Sequence, residues 1–247
     1  PAARAGDLRG VSHHRHSARG LAVRGALPGQ SGAEPRHGLR TRARIAAWRR
    51  IGASRQVLSW IRDGVRVPWG PSGPPAPFHH GVGQFTPAER AWLTVEAERC
   101  CGTGAWRPAR CFDYVSRAFV VYHKGKPRLV IDLRWLNQHC QHRSVRFESL
   151  ASLRRLARQH DWMFSIDISD AYHHVLYHED DVRYFTFAVE TLDGVRYFET
   201  PALNFGWCLS PYVFTTVMRA PVAYLRSPDA ATAPQRYGAF QERPRVA

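Results

Sequence analysis

Lysine is scarce in this sequence, although the chain is strongly basic. Only Lys124 and Lys126 are lysines, so 33 of the 35 basic residues are arginine, and with 20 acidic residues the formal net charge is +15. Such an excess of positive charge usually indicates a polyanionic partner, nucleic acid first and a membrane surface second. A GC-rich coding sequence also favours arginine, alanine, glycine and proline, so composition alone leaves both explanations open.

Paired cysteines and long apolar runs are missing too. The five cysteines are odd in number and show no CxxC spacing, which argues against a disulfide framework or a zinc site and favours reduced thiols. No apolar run approaches the roughly 20 residues that cross a bilayer, and the N-terminus lacks the apolar segment of a signal peptide. We therefore expect an intracellular protein without a membrane partner, in the nucleus or the cytoplasm.

The positive charge belongs mainly to the N-terminal part of the chain, where residues 1–66 contain 14 arginines against three acidic residues. Residues 1–43 have no apolar periodicity, which predicts a disordered arm rich in arginine, alanine and glycine. The rest of the chain is predicted to form three segments: a helical region with a Pro/Gly linker at 44–110, the main folded domain at 111–226, and an unpatterned tail at 227–247.

The apolar patterning after residue 44 mixes helical and strand periods and predicts an α+β fold. Thr86, Pro87 and Glu89 are typical of a helix start with a capping box, and this helix should run to about Cys100. The other predicted elements are one or two short helices over 45–61, strands at 114–122 and 128–133 around a turn at 124–127, a helix at 148–159, a strand at 162–168, paired strands at 182–189 and 195–200, and a helix from Ser210.

Three segments, in order along the chain, carry the functional argument. They are KPRLVIDLRWLN at 126–137, FSIDISDAY at 164–172 and FGWCLSP at 205–211. Together they resemble the successive fingers, A and B motifs of reverse transcriptases, and the stretch at 51–61 resembles the region before the polymerase in DIRS-like retrotransposons. The resemblance covers about 45–226. It implies a partial right-hand polymerase, with fingers and an incomplete palm, that uses dNTPs and an RNA or DNA template–primer.

The resemblance makes Asp167 the first catalytic metal ligand, with the backbone carbonyl of Ile168 as a second contact. Nucleotidyl transfer of this kind uses two divalent ions about 3.5–4 Å apart, and Mg²⁺ prefers hard oxygen ligands such as carboxylates. The apolar residues at 162–168 predict a strand that would hold Asp167 rigidly at a sheet edge. The other interpretation is that Asp167 only caps the helix that follows.

The fingers segment supplies the cations of the implied nucleotide site. A guanidinium at Arg128 can bind the β- and γ-phosphates of a dNTP with two parallel hydrogen bonds, which a lysine cannot do. Lys124 or Lys126 is implied as a second phosphate contact. Arg134 is expected to have a structural role in the fingers and to touch template phosphate.

The A motif supplies the rest of the implied dNTP site. Asp170, Ala171 and Tyr172 are predicted to start a helix, and the backbone N–H groups of a helix start favour a triphosphate. Tyr172 also resembles the residue that packs under the sugar and excludes a 2′-hydroxyl. The alternative for Tyr172 is a purely structural aromatic side chain in the core.

The third segment, Phe205, Gly206 and Trp207, resembles the loop that lies under the template–primer base pair. Glycine at 206 permits close approach of the backbone to a base or sugar. Asn204 stands where the family commonly has proline.

The family's next motif, an aromatic residue followed by x-Asp-Asp, has no counterpart after Leu225. Asp180 and Asp181 imitate the motif, but they precede the Gly206 loop at a place where relatives have an acidic turn, so we expect them to be structural. These observations predict a fragment that ends before the second set of catalytic carboxylates and is inactive alone.

Three other interpretations stay open at this point. The chain could be a basic nucleic-acid-binding remnant without catalysis, an RNA-templated RNA polymerase, or the non-folding product of a decayed gene. Tyr172 argues against an RNA polymerase, because such an enzyme needs room for the 2′-hydroxyl. The sequence predicts neither the template nor the oligomeric state.

Overall fold

A computed structural model of the chain describes residues 36–149, 151 and 166–226. The predicted tail at 227–247, most of the helix predicted at 148–159, and residues 162–165 of the strand predicted at 162–168 lie outside the described residues. None of the helices in the described part is long and apolar enough to cross a membrane.

Three helices precede the sheet: α1 (Arg36–Ala43), α2 (Ile45–Arg50) and α3 (Arg55–Asp63). Two of them confirm the short helices predicted over 45–61. Helix α3 begins where the Ser54 side chain accepts a hydrogen bond from the backbone N–H of Val57, and its buried face carries Val57 and Ile61, one helical turn apart. Residues 36–43 of the predicted arm form helix α1, and residues 1–35 of the arm lie outside the described residues.

Helix α4 (Pro87–Thr103) confirms the predicted capping box. The Thr86 hydroxyl accepts a hydrogen bond from the Glu89 N–H at 3.3 Å, and the Glu89 carboxylate accepts one from the Thr86 N–H at 2.8 Å. The helix ends at Gly104, whose φ of 72° is a left-handed conformation that glycine adopts without steric cost. It therefore runs three residues past the predicted end at Cys100.

The strands form a mixed sheet, which agrees with a fold that mixes helices and strands. Its order is β1 (Phe78–His79), β3 (Tyr114–His123), β5 (Thr186–Thr191), β6 (Gly194–Glu199) and β2 (Arg107–Pro108). Strand β3 runs parallel to β1 and β5, whereas β6 is antiparallel to β5 and β2. The central strand β5 is almost completely buried.

Strand β3 takes part in two different pairings. Its first half, 115–117, pairs with β5, and its second half, 118–123, forms a hairpin with β4 (Lys126–Ile131). The hairpin turn is only Lys124 and Gly125, both with positive φ, so Lys126 and Pro127 belong to β4 and not to the predicted turn. Helix α5 (Arg134–Gln138) follows this hairpin directly.

The second half of the domain begins with two 3₁₀ helices, Ala171–His174 and Glu179–Phe185, and ends with helix α6 (Ser210–Leu225). The strand predicted at 182–189 is wrong for its first four residues, which belong to the second 3₁₀ helix. The second 3₁₀ helix is stabilised by a distant part of the chain, because the Asp181 carboxylate accepts a hydrogen bond from the backbone N–H of Val67 at 2.9 Å. The predicted pairing of 182–189 with 195–200 is confirmed as a hairpin of 186–191 and 194–199, and the helix from Ser210 is confirmed too.

Aromatic residues fill much of the core. The rings of Tyr177 and Phe185 stack with centroids 3.8 Å apart, and Trp207 packs edge-on against both. Trp106 packs in the same way against Phe187 of β5. Such packing combines a large buried apolar area with the edge-to-face geometry that aromatic quadrupoles prefer.

Candidate active site

The first and third sequence segments meet at the side chain of Asn137 in helix α5. Its Nδ2 donates a hydrogen bond to the backbone carbonyl of Gly206 at 2.8 Å, and its Oδ1 accepts one from the backbone N–H of Cys208 at 2.9 Å. The Asn137 side chain therefore bonds two backbone groups of the loop at 205–208, one at Gly206 and one at Cys208. The sequence placed Asn137 in the fingers without assigning it this contact, because nothing in a helical pattern shows which loop a polar residue will face.

The second and third segments meet at an aromatic cluster. The ring of Tyr172 lies 4.8 Å from Phe205 and 5.7 Å from Phe214 of α6, measured between centroids. Partial burial raises the pKa of the Tyr172 hydroxyl, so it stays neutral at physiological pH. Asn137, Tyr172 and Phe205, which are more than 30 residues apart in the sequence, thus come together at or beside one loop.

Asp167 and Ile168 lie in an extended stretch next to this cluster in sequence. The Asp167 side chain is exposed, Ile168 is half-buried, and Ile166 is 69% exposed. Residues 166–168 form no strand, so the predicted rigid strand is wrong for this part of 162–168. An exposed carboxylate is open to a ligand, but no strand holds it at these residues.

The predicted helix after Asp167 is a single 3₁₀ turn of four residues. Asp170 precedes it in the left-handed region with φ 50°, and its carbonyl accepts the first hydrogen bond of the turn, from the His173 N–H at 2.8 Å. The N–H groups of Ala171 and Tyr172 come before that bond and have no partner within the turn. The expected α-helical dipole is absent here, so an anion would meet only these two N–H groups.

Arg128 and Lys126 are both exposed and lie on the same face of strand β4, two residues apart. In the hairpin register Val121 is opposite Arg128 and Phe119 is opposite Val130, so Phe119 and Val121 share this face. Both side chains are exposed despite being apolar. The sequence analysis missed this apolar strip, although a two-residue turn fixes the register and would have shown it.

Arg134 lies at the start of α5, with 86% of its side chain exposed. It forms a two-pronged ion pair with Asp132, at 2.9 Å from Nε and 2.7 Å from Nη2. Hydrogen bonding from Arg134 lowers the pKa of the Asp132 carboxyl. The pair is open to solvent, so Arg134 is accessible to a phosphate, and its contact with template stays a prediction.

The loop at 205–207 presents its three residues very differently. Phe205 is 82% exposed, whereas Trp207 is only 1% exposed and its Nε1 donates to the Sγ of Cys140 at 3.5 Å. The Trp207 ring is thus part of the core, and a contact between this residue and the template–primer stays a prediction. Gly206 has φ 96°, and a methyl group there would lie 3.2 Å from the carbonyl oxygen of Ile131. Both facts favour glycine at this position.

Asn204, which replaces the family's common proline, has a specific partner. Its Oδ1 accepts a hydrogen bond from the hydroxyl of Tyr177 at 2.7 Å, deep in the core. Burial raises the pKa of Tyr177 well above its usual value, so the hydroxyl is a permanent donor. The asparagine thus satisfies a buried hydroxyl that proline would leave without a partner.

Asp180 and Asp181 are structural, as the sequence predicts. Both pair with Arg66, and they belong to the wall of a cavity of about 580 Å³. The lining carboxylates are all paired with arginines: Asp180 and Asp181 with Arg66, and Glu179 and Glu199 with Arg110. Arg183 also lines the cavity and lies over the Tyr184 ring. The aspartate pair at 180–181 is therefore engaged in ion pairs with the protein's own arginine.

The donor chemistry around Asp167 suits one hard cation. A carboxylate and the neighbouring carbonyl of Ile168 are oxygen ligands of the kind that Mg²⁺ prefers. Within residues 36–149, 151 and 166–226, no three His, Cys, Asp or Glu side chains form a metal-binding group. Asp167 therefore belongs to no cluster of three such side chains within the described residues.

Comparison with known proteins supports the polymerase interpretation at the level of the family. A search among curated proteins gave no match. The family model for reverse transcriptase (RNA-dependent DNA polymerase) matches residues 102–228, just over half of the chain, and this range includes all three segments. The mixed sheet is consistent with part of such a domain. The chain therefore belongs to the reverse transcriptase (RNA-dependent DNA polymerase) family.

Proposed function

We propose that this chain is the nucleotide- and template-binding part of an RNA-directed DNA polymerase from a DIRS-like retrotransposon. In this proposal the β3–β4 hairpin belongs to the fingers and the mixed sheet is an incomplete palm. The observation that carries it is the convergence of three distant segments: Asn137 of the first bonds the loop of the third, and Tyr172 of the second packs on Phe205.

Arg128 would bind the phosphates of the incoming dNTP. Its guanidinium is exposed on the hairpin face that also carries Lys126, so two cations project to one side of β4. A guanidinium matches two phosphate oxygens at once and keeps its charge at any physiological pH. The apolar Phe119 and Val121 on the same face would cover a base rather than a phosphate.

Asp167 would hold a Mg²⁺ ion with the carbonyl of Ile168. When bound, this ion would neutralise phosphate charge and lower the pKa of a primer hydroxyl. The protein would contribute the exposed carboxylate of Asp167. Asp167 lies five residues before Tyr172, whose ring packs on Phe205 of the loop at 205–207.

Tyr172 would select the sugar of the nucleotide. Its ring is wedged between Phe205 and Phe214, so it cannot swing away to make room for a 2′-hydroxyl without losing both contacts. A ring held in this way discriminates by exclusion, and its hydroxyl is not needed for that task.

A second candidate function is binding without catalysis, and it is favoured by the small number of metal-binding carboxylates. The described residues contain no group of three metal-binding side chains, and the sequence has no aromatic-x-Asp-Asp segment after Leu225. We therefore expect this chain alone to bind template–primer and dNTP without extending the primer. Extension that Asp167→Asn abolishes would show instead that the chain catalyses by itself.

Nucleotide binding tests the assignment directly. With template–primer and Mg²⁺ present, Arg128→Ala should weaken dTTP binding about 10- to 100-fold, since a hydrogen bond to a charged group contributes about 1.5–3 kcal/mol. Arg219→Ala, which removes an exposed arginine from α6, is the matched control and should bind like the unaltered chain. Equal affinities for the two variants would overturn the assignment of Arg128.

Two further pairs of variants test the other roles. Asp167→Asn should remove the Mg²⁺ dependence of dTTP binding, whereas Asp193→Asn, at the β5–β6 turn, should keep it. Tyr172→Ala should narrow the preference for dTTP over UTP, whereas Tyr172→Phe keeps the ring and should keep the preference. A preference that is unchanged in Tyr172→Ala would rule out the sugar-selecting role.

A further inference from the structure

The helices before the polymerase family domain carry an unbalanced positive charge. Residues 36–62 contain eight arginines and no aspartate or glutamate. Among these eight, Arg40, Arg44, Arg49, Arg50 and Arg55 are exposed and form no ion pair with a carboxylate of the described residues. Five such guanidinium groups within 16 residues repel one another unless an anion lies among them.

Many arginines elsewhere in the described chain have carboxylate partners. Those with an ion pair are Arg66, Arg90, Arg99, Arg107, Arg110, Arg134 and Arg226. A general arginine bias from coding DNA would raise the number of arginines everywhere, but it does not explain the absence of aspartate and glutamate from residues 36–62. The charge of the five arginines named above is therefore available to a partner.

The exposed surface of these helices is polar as well as basic. Ile45, Trp48 and Trp60 pack against the core, and Val57 and Ile61 are buried within it. None of the large apolar side chains from 40 to 62 is strongly exposed. A helix that binds a membrane surface would present such side chains next to its cations, so a soluble polyanion fits this surface better.

The arginine-bearing helices are fixed to the polymerase segment that follows Asp167. Helix α1 packs against the 3₁₀ turn Ala171–His174, and a methyl group at Gly38 would overlap the side chain of Leu176. After α3, the Val65 N–H donates to the carbonyl of Leu176 at 2.8 Å, and the Val65 carbonyl accepts from the N–H of His178 at 2.9 Å. The basic helices are thus held next to the segment that carries Tyr172.

From this placement we infer that α1–α3 bind the phosphodiester backbone of the template–primer through these five arginines. The inference rests on the proposed function for the identity of the nucleic acid, and it adds a binding surface outside the family domain. Arginine suits this task, because its planar group bonds two phosphate oxygens and stays charged. Contacts of this kind carry no base specificity, so binding should depend on salt and not on sequence.

The test compares two triple variants of the full chain that change the net charge equally. Arg44→Gln, Arg49→Gln and Arg50→Gln together remove three of the five cations. Arg143→Gln, Arg146→Gln and Arg219→Gln together remove three exposed arginines from other places. Circular dichroism and a melting curve confirm that each variant folds before binding is compared.

Affinity for a fluorescent RNA–DNA hybrid duplex is measured by anisotropy between 50 and 300 mM KCl. Each lost phosphate contact lowers the slope of log K against log salt by about 0.9, so the first triple should reduce the slope by about 2–3 and weaken binding about 10- to 100-fold at 150 mM. The second triple should keep the slope of the unaltered chain. Equal losses in both triples would overturn the inference, because the effect would then come from net charge alone.

Two further measurements separate this inference from the proposed function. The first triple should bind dTTP as the unaltered chain does when template–primer is saturating, whereas Arg128→Ala should not. If the first triple loses binding to vesicles of anionic phospholipid but keeps its affinity for the duplex, the surface is a membrane site and the inference is wrong. In either case Arg128→Ala should still bind dTTP more weakly than the unaltered chain, so the proposed function is tested separately.

Discussion

Asn137 gives the sharpest test of how the site is held together. Asn137→Ala removes both hydrogen bonds to the loop at 205–208, of 2.8 and 2.9 Å. A hydrogen bond of this type contributes about 0.5–1.5 kcal/mol net, so the free energy of unfolding should fall by about 1–3 kcal/mol. Because the loop would no longer be held for binding, template–primer affinity should fall by up to about 100-fold.

The control is Gln138→Ala on the same helix. Gln138 is exposed, so its loss should change the free energy of unfolding by less than about 0.5 kcal/mol. Urea denaturation gives the stabilities, and anisotropy with a labelled template–primer gives the affinities. Asn137→Asp separates the two bonds, since it keeps the acceptor for the Cys208 N–H and loses the donor to the Gly206 carbonyl.

Two results would refute this reasoning. If Asn137→Ala and Gln138→Ala unfold at the same urea concentration, the two hydrogen bonds do not stabilise the loop. If Asn137→Ala is less stable but binds template–primer as tightly as the unaltered chain, the loop at 205–208 is not a template–primer contact.

Three further predictions concern single positions. Gly206→Ala should lower stability by about 1–2 kcal/mol in denaturation experiments, because the residue has φ 96° and its methyl group would press on a backbone carbonyl. Glu199→Ala should lower it by about 1.5–3 kcal/mol, because the buried Arg107 loses its 2.6 Å bond to this carboxylate and keeps only the more exposed Glu179. Partial burial raises the pKa of Glu179, but hydrogen bonds from Arg107 and Arg110 outweigh it and lower the pKa below the usual value. A lowered pKa means that the Glu179 carboxylate stabilises the fold above about pH 4.3, and that this stabilisation is lost as the pH falls further. In Glu179→Gln the free energy of unfolding should therefore fall less steeply with decreasing pH. An unchanged pH dependence would refute the role given to Glu179.

Local sequence signals predicted the elements whose causes are local. The capping box at Thr86 and Glu89 lies within four residues, and the structure confirms it. The β5–β6 hairpin follows from a short turn between alternating segments, and it is confirmed as well. These signals depend only on residues that are close in the sequence, so they can be interpreted without knowledge of the tertiary fold.

The wrong predictions have tertiary causes. Residues 182–185 show apolar character that suits a strand, but Asp181 is held by Val67 and Arg66, more than 100 residues earlier, and the segment turns into a 3₁₀ helix. Helix α1 has little apolar periodicity of its own and is positioned by packing on the turn at 171–174. Contacts across such distances cannot be seen in a local pattern.

The site was predicted in its residues more than in its geometry. Motif order identified the loop at 205–207, but only the structure shows that Phe205 faces solvent and Trp207 faces the core. Adjacent loop residues have no fixed period, so the sequence could not assign them to opposite sides. The role of Asn137 was invisible for the same reason.

The backbone ladder between Val65 and residues 176–178 also decides where a truncated protein can begin. The family domain starts at 102, but Val57, Ile61, Val65 and Val67 belong to one core with Tyr177 and Trp207. A polypeptide that begins at residue 102 would lack these four apolar side chains, and Tyr177 and Trp207 would then be more exposed to water. Expression designs should therefore keep everything from Arg36 onward, since the evolutionary domain is smaller than the unit that folds.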